Sequence, residues 1–506
     1  MLKGIFRLRN RHPFLFILLI GLTLRLASAF FSVGYAIADE HFLYVETPYS
    51  WLHNIDYDAL LTDQQWQSSP QGTSLFYVGI NYVLFGFLNF FGISNPNTLM
   101  LFMRLINALI SLMVISLAYR IAVLISNRKI GYYCAMLLAI LWFMPYVSVH
   151  TLPTAISIPF LLYATLILLK QEMIRNKKLP GYHRSSYFVA GMFLGFGFSI
   201  WFQNILFLVG ILVALFIARN WKNSLIVVAG VACAVIVAQG IPDLIVWHRP
   251  FAELGVFLSH GSQHVRHLMQ ASWIYHPLPL MLLSLIPPIS IMLFYGFFRS
   301  FKHNLIITLP VTTFLLYYTL FPSHHCFSML PIAPLFIVLG LTGWINFYNN
   351  SPSWKQHKRI HKSIWVFATL INLALLIFTT PLCHHKPEVN AMSYLNRYDD
   401  TGYIIVENKS HDVSPMMPLF YSNYNFRYST INKDDTLPND EPDFVLMIGD
   451  NNKEQRMQEL KQRYPRLVYE TRTNPSIISL LINWINSNND EVITIYRNEN
   501  KIPQKR

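Results

Sequence analysis

Long apolar runs follow one another along this chain between residues 13 and 381. About 20 consecutive apolar residues suffice for a helix to cross the roughly 30 Å hydrocarbon core of a bilayer. The run 187–218 carries Trp201-Phe202-Gln203-Asn204 at its middle and is predicted to divide into two short helices. The sequence therefore predicts a polytopic α-helical membrane protein with about eleven transmembrane helices, near 13–31, 99–124, 131–149, 153–170, 187–218 (two), 225–246, 278–297, 304–321, 328–348 and 363–381.

The composition excludes a soluble enzyme of several domains. Only 13% of the residues are charged and 53% are hydrophobic, whereas soluble domains carry about 25% charged residues. The net charge of +13 does not indicate nucleic acid, because it is unevenly distributed. Residues 1–383 contain 24 Lys and Arg against 9 Asp and Glu, and residues 384–506 contain 15 against 17. The basic excess thus belongs to the membrane part, where short cytoplasmic loops collect Lys and Arg.

The apolar segment Ser74–Gly92 decides the predicted topology. If it does not cross the membrane, nineteen loop Lys and Arg residues lie on the side of the N-terminus and two, Arg249 and Arg266, lie opposite. If it does cross, the basic loops after it fall on the external side, against the positive-inside rule. We therefore expect 74–92 to be an interfacial or re-entrant helix, with the N-terminus cytoplasmic and the C-terminus external.

This topology divides the chain into a transmembrane catalytic domain, 1–383, and an external soluble domain, 384–506. Within the first, residues 32–98 form an external loop with six acids and no Lys or Arg. In the second, alternating and buried patterns predict a small α/β domain. Its expected elements are strands at Tyr403–Glu407, Asp443–Gly449, Arg466–Thr471 and Val492–Arg497, and a helix at Lys453–Arg463.

A candidate catalytic group follows the first span. Asp39-Glu40-His41 begins eight residues after that span ends, at the predicted boundary between lipid and water. A low dielectric raises the pKa of a carboxyl group, and a carboxylate beside a substrate hydroxyl can act as a general base. The same acids could equally form a solvated loop that obeys the positive-inside rule. From the residues alone, both interpretations stay open.

Several short motifs then occur in an order that resembles one family. They are Arg25 in the first span, Asp39-Glu40 with Glu46 six residues on, Arg104-Leu105, Gly195-Phe196-Gly197 followed by Phe202-Gln203, Asp243, His276-Pro277, and Pro331 with Pro334. Together they resemble the GT-C membrane glycosyltransferases, and more specifically glycosyltransferase family 22, the lipid-phosphate-mannose-dependent mannosyltransferases of GPI-anchor and N-glycan assembly.

The chain departs from the family pattern at three places. Ile37-Ala38 precedes the acidic pair where the family has His-Pro, and Trp201 stands where the family has Arg. The segment Ser323-His324-His325-Cys326-Phe327-Ser328 stands where the family has His-Lys-Glu-x-Arg-Phe.

The resemblance implies a GT-C fold and an inverting hexosyltransferase, with mannose favoured. The sugar would pass from a polyprenyl-phosphate donor to a glycan or glycolipid acceptor on the non-cytoplasmic face, with Asp39 as general base and Glu40 orienting the loop. No cofactor is implied. The leaving lipid phosphate needs cationic or hydrogen-bonding partners. The candidates for binding it or the substrate are Arg249, His264, Arg266, His267, His276, His324, His325, Gln203 and Asp243.

Three histidines in the loop before His276 leave alternatives open. His260, His264 and His267 share one face if that loop is helical, so they could contact phosphate, bind zinc or simply lie at the interface. No metal site is expected, because no carboxylate lies among them at ligand spacing. We expect Arg266 to approach Asp39 and His324 across one cavity.

Two other functions remain as alternatives: a flippase or transporter of lipid-linked saccharides, or another GT-C transferase that modifies lipids or glycans. The acid-rich first loop favours an enzyme, because transporters more often place ionisable groups at mid-bilayer. The expected partners are the lipid-linked donor, the acceptor and membrane lipid. A bacterial plasma membrane is favoured, and the endoplasmic reticulum stays open as an alternative.

Overall fold

The computed structural model describes residues 9–55, 69–259, 277–302, 304–321, 327–398, 402–408, 416–425, 427–432, 435, 437–476 and 492–501. The chain forms two compact units, each assembled from separate stretches of sequence. The first unit comprises Met1–Ser28, Pro70–Tyr77 and Leu105–Thr380, and the second comprises Ala29–Ser69, Val78–Arg104 and Pro381–Arg506.

The apolar part of the chain is helical, as predicted. Six helices in the described ranges are long and apolar enough to cross a membrane: Pro13–Phe31, Pro96–Ile125, Pro153–Asn176, Trp221–Trp247, Leu330–Asn350 and Lys358–Thr379. Five further apolar helices of 10–17 residues are Leu75–Phe90, Ser185–Ile200, Phe202–Ile217, Ile289–Ser300 and Leu305–Leu320. The polytopic helical architecture is confirmed, whereas the count of eleven spans stays a prediction. Shorter helices are Arg128–Ile140, Met144–Val147, Pro277–Ser284 and Pro352–Gln356.

Local sequence accounts for where these helices begin and break. Pro13, Pro96 and Pro153 each open a helix, a position where the missing N–H costs nothing and the fixed φ is already helical. Trp201 is extended, with φ −147° and ψ 111°, so it separates Ser185–Ile200 from the 3₁₀ turn Phe202–Asn204. The predicted division of the run 187–218 is therefore confirmed.

Glycines let two helices of the first unit approach closely. A Cβ added at Gly343, in the helix Ala333–Asn350, would lie 1.9 Å from the carbonyl oxygen of Gly296, in the helix Ile289–Ser300. A Cβ at Gly296 would lie 2.0 Å from the carbonyl oxygen of Gly340. Small residues at such crossings allow the backbones to touch, which drives helix association in membranes.

We expect the substitution Gly343→Ala to destabilise the protein by about 2 kcal/mol, because the new methyl group must push the two backbones apart. The matched control is Gly79→Ala, since a Cβ at Gly79 meets no described atom within 4 Å. Thermal unfolding of the purified protein in detergent should show a lower midpoint for the first variant alone. Equal midpoints for both would contradict the close crossing.

The second unit contains the small α/β fold predicted for the tail. Its elements are β1 Tyr403–Glu407, β2 Arg427–Ile431, β3 Phe444–Ile448, β4 Leu467–Thr473 and β5 Ile493–Asn498, with helices Lys386–Leu395 and Lys453–Arg463. The strands form a sheet in the order β2-β1-β3-β5-β4. β1 is parallel to β2 and β3, while β5 is antiparallel to β3 and β4. Four strands and the second helix were predicted; β2 was not.

The two faces of this sheet bury different partners. Ile405, Val445 and Met447 pack on one face with Leu460 of the helix Lys453–Arg463. Residues of opposite parity, such as Ile404 and Leu446, pack on the other face in a core that also contains residues from 35–49, 85–103 and 389–424. The predicted first external loop and the tail thus share one hydrophobic core.

Candidate active site

The acidic segment after the first span folds into two short helical turns. Ala38–His41 is an α-helical turn, and Phe42–Glu46 continues it as a π-helical turn. Such π-turns frequently occur at functional sites. The Glu40 carboxylate is 3% exposed and accepts the N–H of Ala36 at 2.7 Å, which closes the start of the turn. Asp39 lies within the same turn, and its side chain is outside the part that the structure describes.

A buried pair holds the other end of this segment. His41 Nε2 lies 3.0 Å from Glu46 Oε1, and both side chains are fully buried. The backbone N–H of Phe420 donates to the same carboxylate oxygen at 3.2 Å, and the Tyr424 hydroxyl donates to the Glu46 carbonyl at 3.3 Å. Glu46 therefore connects the acidic segment to the chain around residue 420 in the same unit.

A stack of four rings adds to this attachment. The His41 ring lies between Tyr35 and Tyr421, with centroid distances of 4.9 and 5.4 Å, and Tyr35 also stacks on His385 at 4.4 Å. Burial raises the pKa of Tyr35 well above its usual value, and the charges of Glu388 and Glu46 raise it further. Burial likewise raises the pKa of Tyr421. Both phenols therefore stay neutral at physiological pH, and their rings pack on either side of the His41 ring.

Arg104, one of the residues that carry the family resemblance, has a hydrogen-bond partner in the same unit. It is 7% exposed, and its Nη1 donates to the Ser32 carbonyl at 2.5 Å. The Ser32 hydroxyl in turn donates to the Leu382 carbonyl at 2.5 Å. Arg104 thus fixes the position of the chain immediately after the first apolar helix, a few residues before Asp39.

A second network lies in the first unit, around Glu253. One oxygen of its carboxylate accepts three successive N–H groups, from Gln71, Gly72 and Thr73, at 3.0, 2.6 and 3.0 Å. Gly72 has φ +78°, a conformation that favours glycine and turns successive N–H groups toward one point. The other oxygen accepts the indole N–H of Trp247 at 2.9 Å. Glu253 is 1% exposed, so this carboxylate is a buried anchor for the turn 71–73.

Asp243 and Gln239 extend this network. The Asp243 carboxylate is fully buried and accepts the Gln239 side-chain N–H at 2.8 Å and the Glu253 backbone N–H at 3.0 Å. The Ser74 hydroxyl lies 3.0 Å from Gln239 Oε1. Burial raises the pKa of Glu253, and the charge of Asp243 raises it further, while the N–H donors counteract both effects. Because its folded-state pKa is raised, charged Glu253 costs stability that protonation recovers as pH falls through that pKa.

Replacement of Glu253 by leucine is expected to destabilise the protein by about 3 kcal/mol, since it removes the carboxylate that accepts the N–H groups of the turn 71–73 and the indole N–H of Trp247. Glu253→Gln should cost clearly less, because an amide oxygen can still accept from the turn 71–73. Thermal midpoints in detergent compare the two variants. A leucine variant as stable as the glutamine variant would show that the turn does not depend on this carboxylate.

The remaining candidates fall into two groups. Gln203 is half-buried in the 3₁₀ turn after Trp201, and Arg249 is exposed in the segment after the helix Ile241–Trp247. His264, Arg266, His267, His276, His324 and His325 lie outside the described residues, as does the expected approach of Arg266 to Asp39. Within the described ranges, no three His, Cys, Asp or Glu side chains form a metal-binding group.

Sequence reasoning missed His41 and Glu253 as members of these clusters. His41 directly follows the acidic pair and precedes Glu46 by five residues, which is the signal that could have identified it. Glu253 gives no such local signal, because its partners at 71–73 lie about 180 residues earlier in the chain.

Solved structures define the class of fold. ArnT from Cupriavidus metallidurans bound to undecaprenyl phosphate has a TM-score of 0.63 and 11% identity, covering 97% of this chain and 99% of that one. The apo state of the same protein has a TM-score of 0.58 and 12% identity, covering 97% of this chain and 99% of that one. The apo oligosaccharyltransferase from Archaeoglobus fulgidus has a TM-score of 0.50 and 10% identity, covering 84% of this chain and 65% of that one. The chain has the fold of GT-C membrane glycosyltransferases.

The match to a sequence family is more specific than the class of fold. The profile of the Alg9-like mannosyltransferase family matches residues 16–426, which is most of the chain. No curated protein matches the sequence. The chain belongs to the Alg9-like mannosyltransferase family, and it is a membrane glycosyltransferase. The resemblance to glycosyltransferase family 22 is therefore confirmed.

Proposed function

We propose that this protein moves a hexose, with mannose favoured, from a polyprenyl-phosphate donor to an acceptor hydroxyl on the non-cytoplasmic face of the membrane. The proposal rests on how firmly the neighbours of Asp39 are held in the acidic segment. Glu40 and His41, the two residues after Asp39, are both buried and hydrogen-bonded. A reactive group is effective when its neighbours lock its position, and Asp39 has such neighbours on a helical turn.

The chemistry needs only one protein base. Asp39 takes the proton of the acceptor hydroxyl as its oxygen attacks the anomeric carbon. The new carbon–oxygen bond forms on the face opposite the carbon–phosphate oxygen bond, which breaks, so the configuration inverts. The departing lipid phosphate carries away the electron pair as a stable anion. No general acid is required, only donors that stabilise the charge on the phosphate.

The lipid nature of the donor rests on two supports. ArnT, which shares the fold at a TM-score of 0.63, is described with undecaprenyl phosphate bound. A chain with many apolar helices can accept a polyprenyl tail from the bilayer without bringing it into water. We assign the phosphate contacts to Arg249 and Arg266, with His264, His267, His276, His324 and His325, and a substrate contact to Gln203. Asp243, whose carboxylate is fully buried and accepts from Gln239 and Glu253, is assigned a supporting role.

The side of the membrane follows from the charge distribution. Nineteen Lys and Arg residues occupy the loops on the side of the N-terminus in the proposed topology, and two occupy the opposite loops before residue 384. Such a bias marks the cytoplasmic side, so the Asp39 segment and the tail face outward. We favour a bacterial plasma membrane, with a glycan or glycolipid as acceptor.

A donor comparison tests this proposal. Purified protein in detergent is supplied with a labelled acceptor mixture and, separately, polyprenyl-phosphate mannose, polyprenyl-phosphate glucose or GDP-mannose. We expect transfer from the lipid-linked donors, fastest with mannose, and a product of inverted anomeric configuration by NMR. Transfer from GDP-mannose alone, or retained configuration, would contradict the proposed donor or mechanism.

A further inference from the structure

A cavity of about 390 Å³ lies in the first unit between three helices, Arg128–Ile140, Ala333–Asn350 and Lys358–Thr379. Its volume falls within the range of about 300–1,000 Å³ that is usual for small-ligand sites. Its wall is formed almost entirely by aliphatic and aromatic side chains, with Tyr133, Trp344, Tyr348 and Trp365 the largest. The residues of the catalytic proposal are absent from this described lining.

Three polar groups of the wall contact one another. The indole N–H groups of Trp344 and Trp365 both donate to His361 Nε2, each at 3.2 Å. His361 Nε2 is thus the shared acceptor of the two indoles. The ring of Tyr348 stacks on His361 with centroids 4.1 Å apart. The rings are thus fixed as a rigid apolar surface, which suits a hydrocarbon chain.

One end of the cavity carries a concentrated positive charge. Lys358, His361 and Trp365 lie at i, i+3 and i+7, so Lys358 continues the cavity-facing side of its helix by one turn. Lys355, Arg359 and Lys362 are exposed nearby in sequence, and residues 351–383 contain no Asp or Glu. Basic groups beside pockets between membrane helices are suited to anionic lipid headgroups.

We propose that this cavity is a binding site for an anionic phospholipid. An acyl chain fills the aromatic cavity, and the headgroup phosphate contacts Lys358 and Lys362. The occupant differs from the sugar donor. In the proposed topology these lysines lie at the helix end on the side of the N-terminus, whereas sugar transfer is proposed for the opposite side. The lipid would hold the helices Ala333–Asn350 and Lys358–Thr379 together.

Photolabelling of the purified full-length protein tests the site. The probe is phosphatidylglycerol with a diazirine in one acyl chain, and labelled peptides are identified by mass spectrometry. We expect labelling concentrated on Tyr133, Tyr348 and Trp365, with unlabelled phosphatidylglycerol competing at least tenfold better than phosphatidylcholine. Labelling spread evenly over exposed apolar residues such as Phe216 and Leu225 would overturn the proposal. The proposal would also be overturned if polyprenyl phosphate, but not phosphatidylglycerol, competed with the probe for labelling.

Variants distinguish headgroup from chain contacts. Lys358→Gln and Lys362→Gln should each weaken competition by phosphatidylglycerol about fivefold, since a lysine near an anionic lipid contributes roughly that factor. The matched control is Lys222→Gln, an exposed lysine on another helix, which should change nothing. Ile345→Trp, which fills the cavity, should abolish the concentrated labelling. If the lysine variants compete like the control, the headgroup assignment is wrong, even if Ile345→Trp fails to fold.

Discussion

Replacement of Asp39 by asparagine is expected to lower kcat for sugar transfer by about 10²–10⁴-fold, with little change in the KM for the lipid donor. Asparagine keeps the size and polarity of the side chain but cannot take a proton from the acceptor hydroxyl. Steady-state kinetics with polyprenyl-phosphate mannose provide the measurement. The thermal midpoint of the variant should remain that of the wild type, which separates lost chemistry from lost folding.

The control for this prediction is the neighbouring acid. Glu40→Gln retains an oxygen that can accept the N–H of Ala36, so its kcat should fall by less than about tenfold. If Glu40→Gln abolishes turnover while Asp39→Asn retains it, the base is Glu40. In the wild type, kcat should rise with pH through the pKa of the base, because only the carboxylate accepts a proton. That rise should be absent from the residual rate of Asp39→Asn.

The second large effect is expected at the buried pair of His41 and Glu46. Glu46→Leu should destabilise the protein by about 3 kcal/mol and abolish measurable transfer, because it leaves the His41 ring and the Phe420 N–H unpaired. The matched control is Glu454→Ala, an exposed acid in the helix Lys453–Arg463, which should cost little. Thermal unfolding in detergent and the transfer assay are the two measurements.

A double variant separates pairing from packing. His41→Phe with Glu46→Leu removes both polar partners and keeps the ring between Tyr35 and Tyr421. Replacing both partners of a buried hydrogen-bonded pair by apolar groups of similar shape can be nearly neutral, so the double variant should be more stable than Glu46→Leu alone. If the double variant loses as much as the two single changes added together, His41 and Glu46 do not act as a pair.

Much of the fold can be predicted from hydrophobic patterning alone. The first span, 13–31, coincides with the helix Pro13–Phe31, and the helix Lys453–Arg463 was predicted with its observed bounds. The strand Arg427–Ile431 was missed because its sequence, Arg-Tyr-Ser-Thr-Ile, shows little apolar alternation. An edge strand faces one neighbour only, so hydrogen bonds to β1 can define it without a strong hydrophobic pattern.

The candidate site was predictable where its residues are close in sequence. Asp39 and Glu40 were selected from an apolar run followed by acids, and both lie in one helical turn. The ring stack of Tyr35 with His385, and the Glu253 contacts with 71–73, depend on residues far apart in the chain. Such contacts arise only from the packed fold, and one sequence carries no local signal for them.

Sugar transfer and the movement of lipid across a membrane can be distinguished in detergent. Detergent micelles enclose no compartment, so a flippase has no measurable activity in them. Wild-type protein in detergent, given polyprenyl-phosphate mannose labelled in the sugar, should release unlabelled polyprenyl phosphate and form a labelled acceptor, and Asp39→Asn should form none. If neither protein forms labelled acceptor, while both move the labelled lipid across sealed vesicles, the chain is a flippase and not a glycosyltransferase.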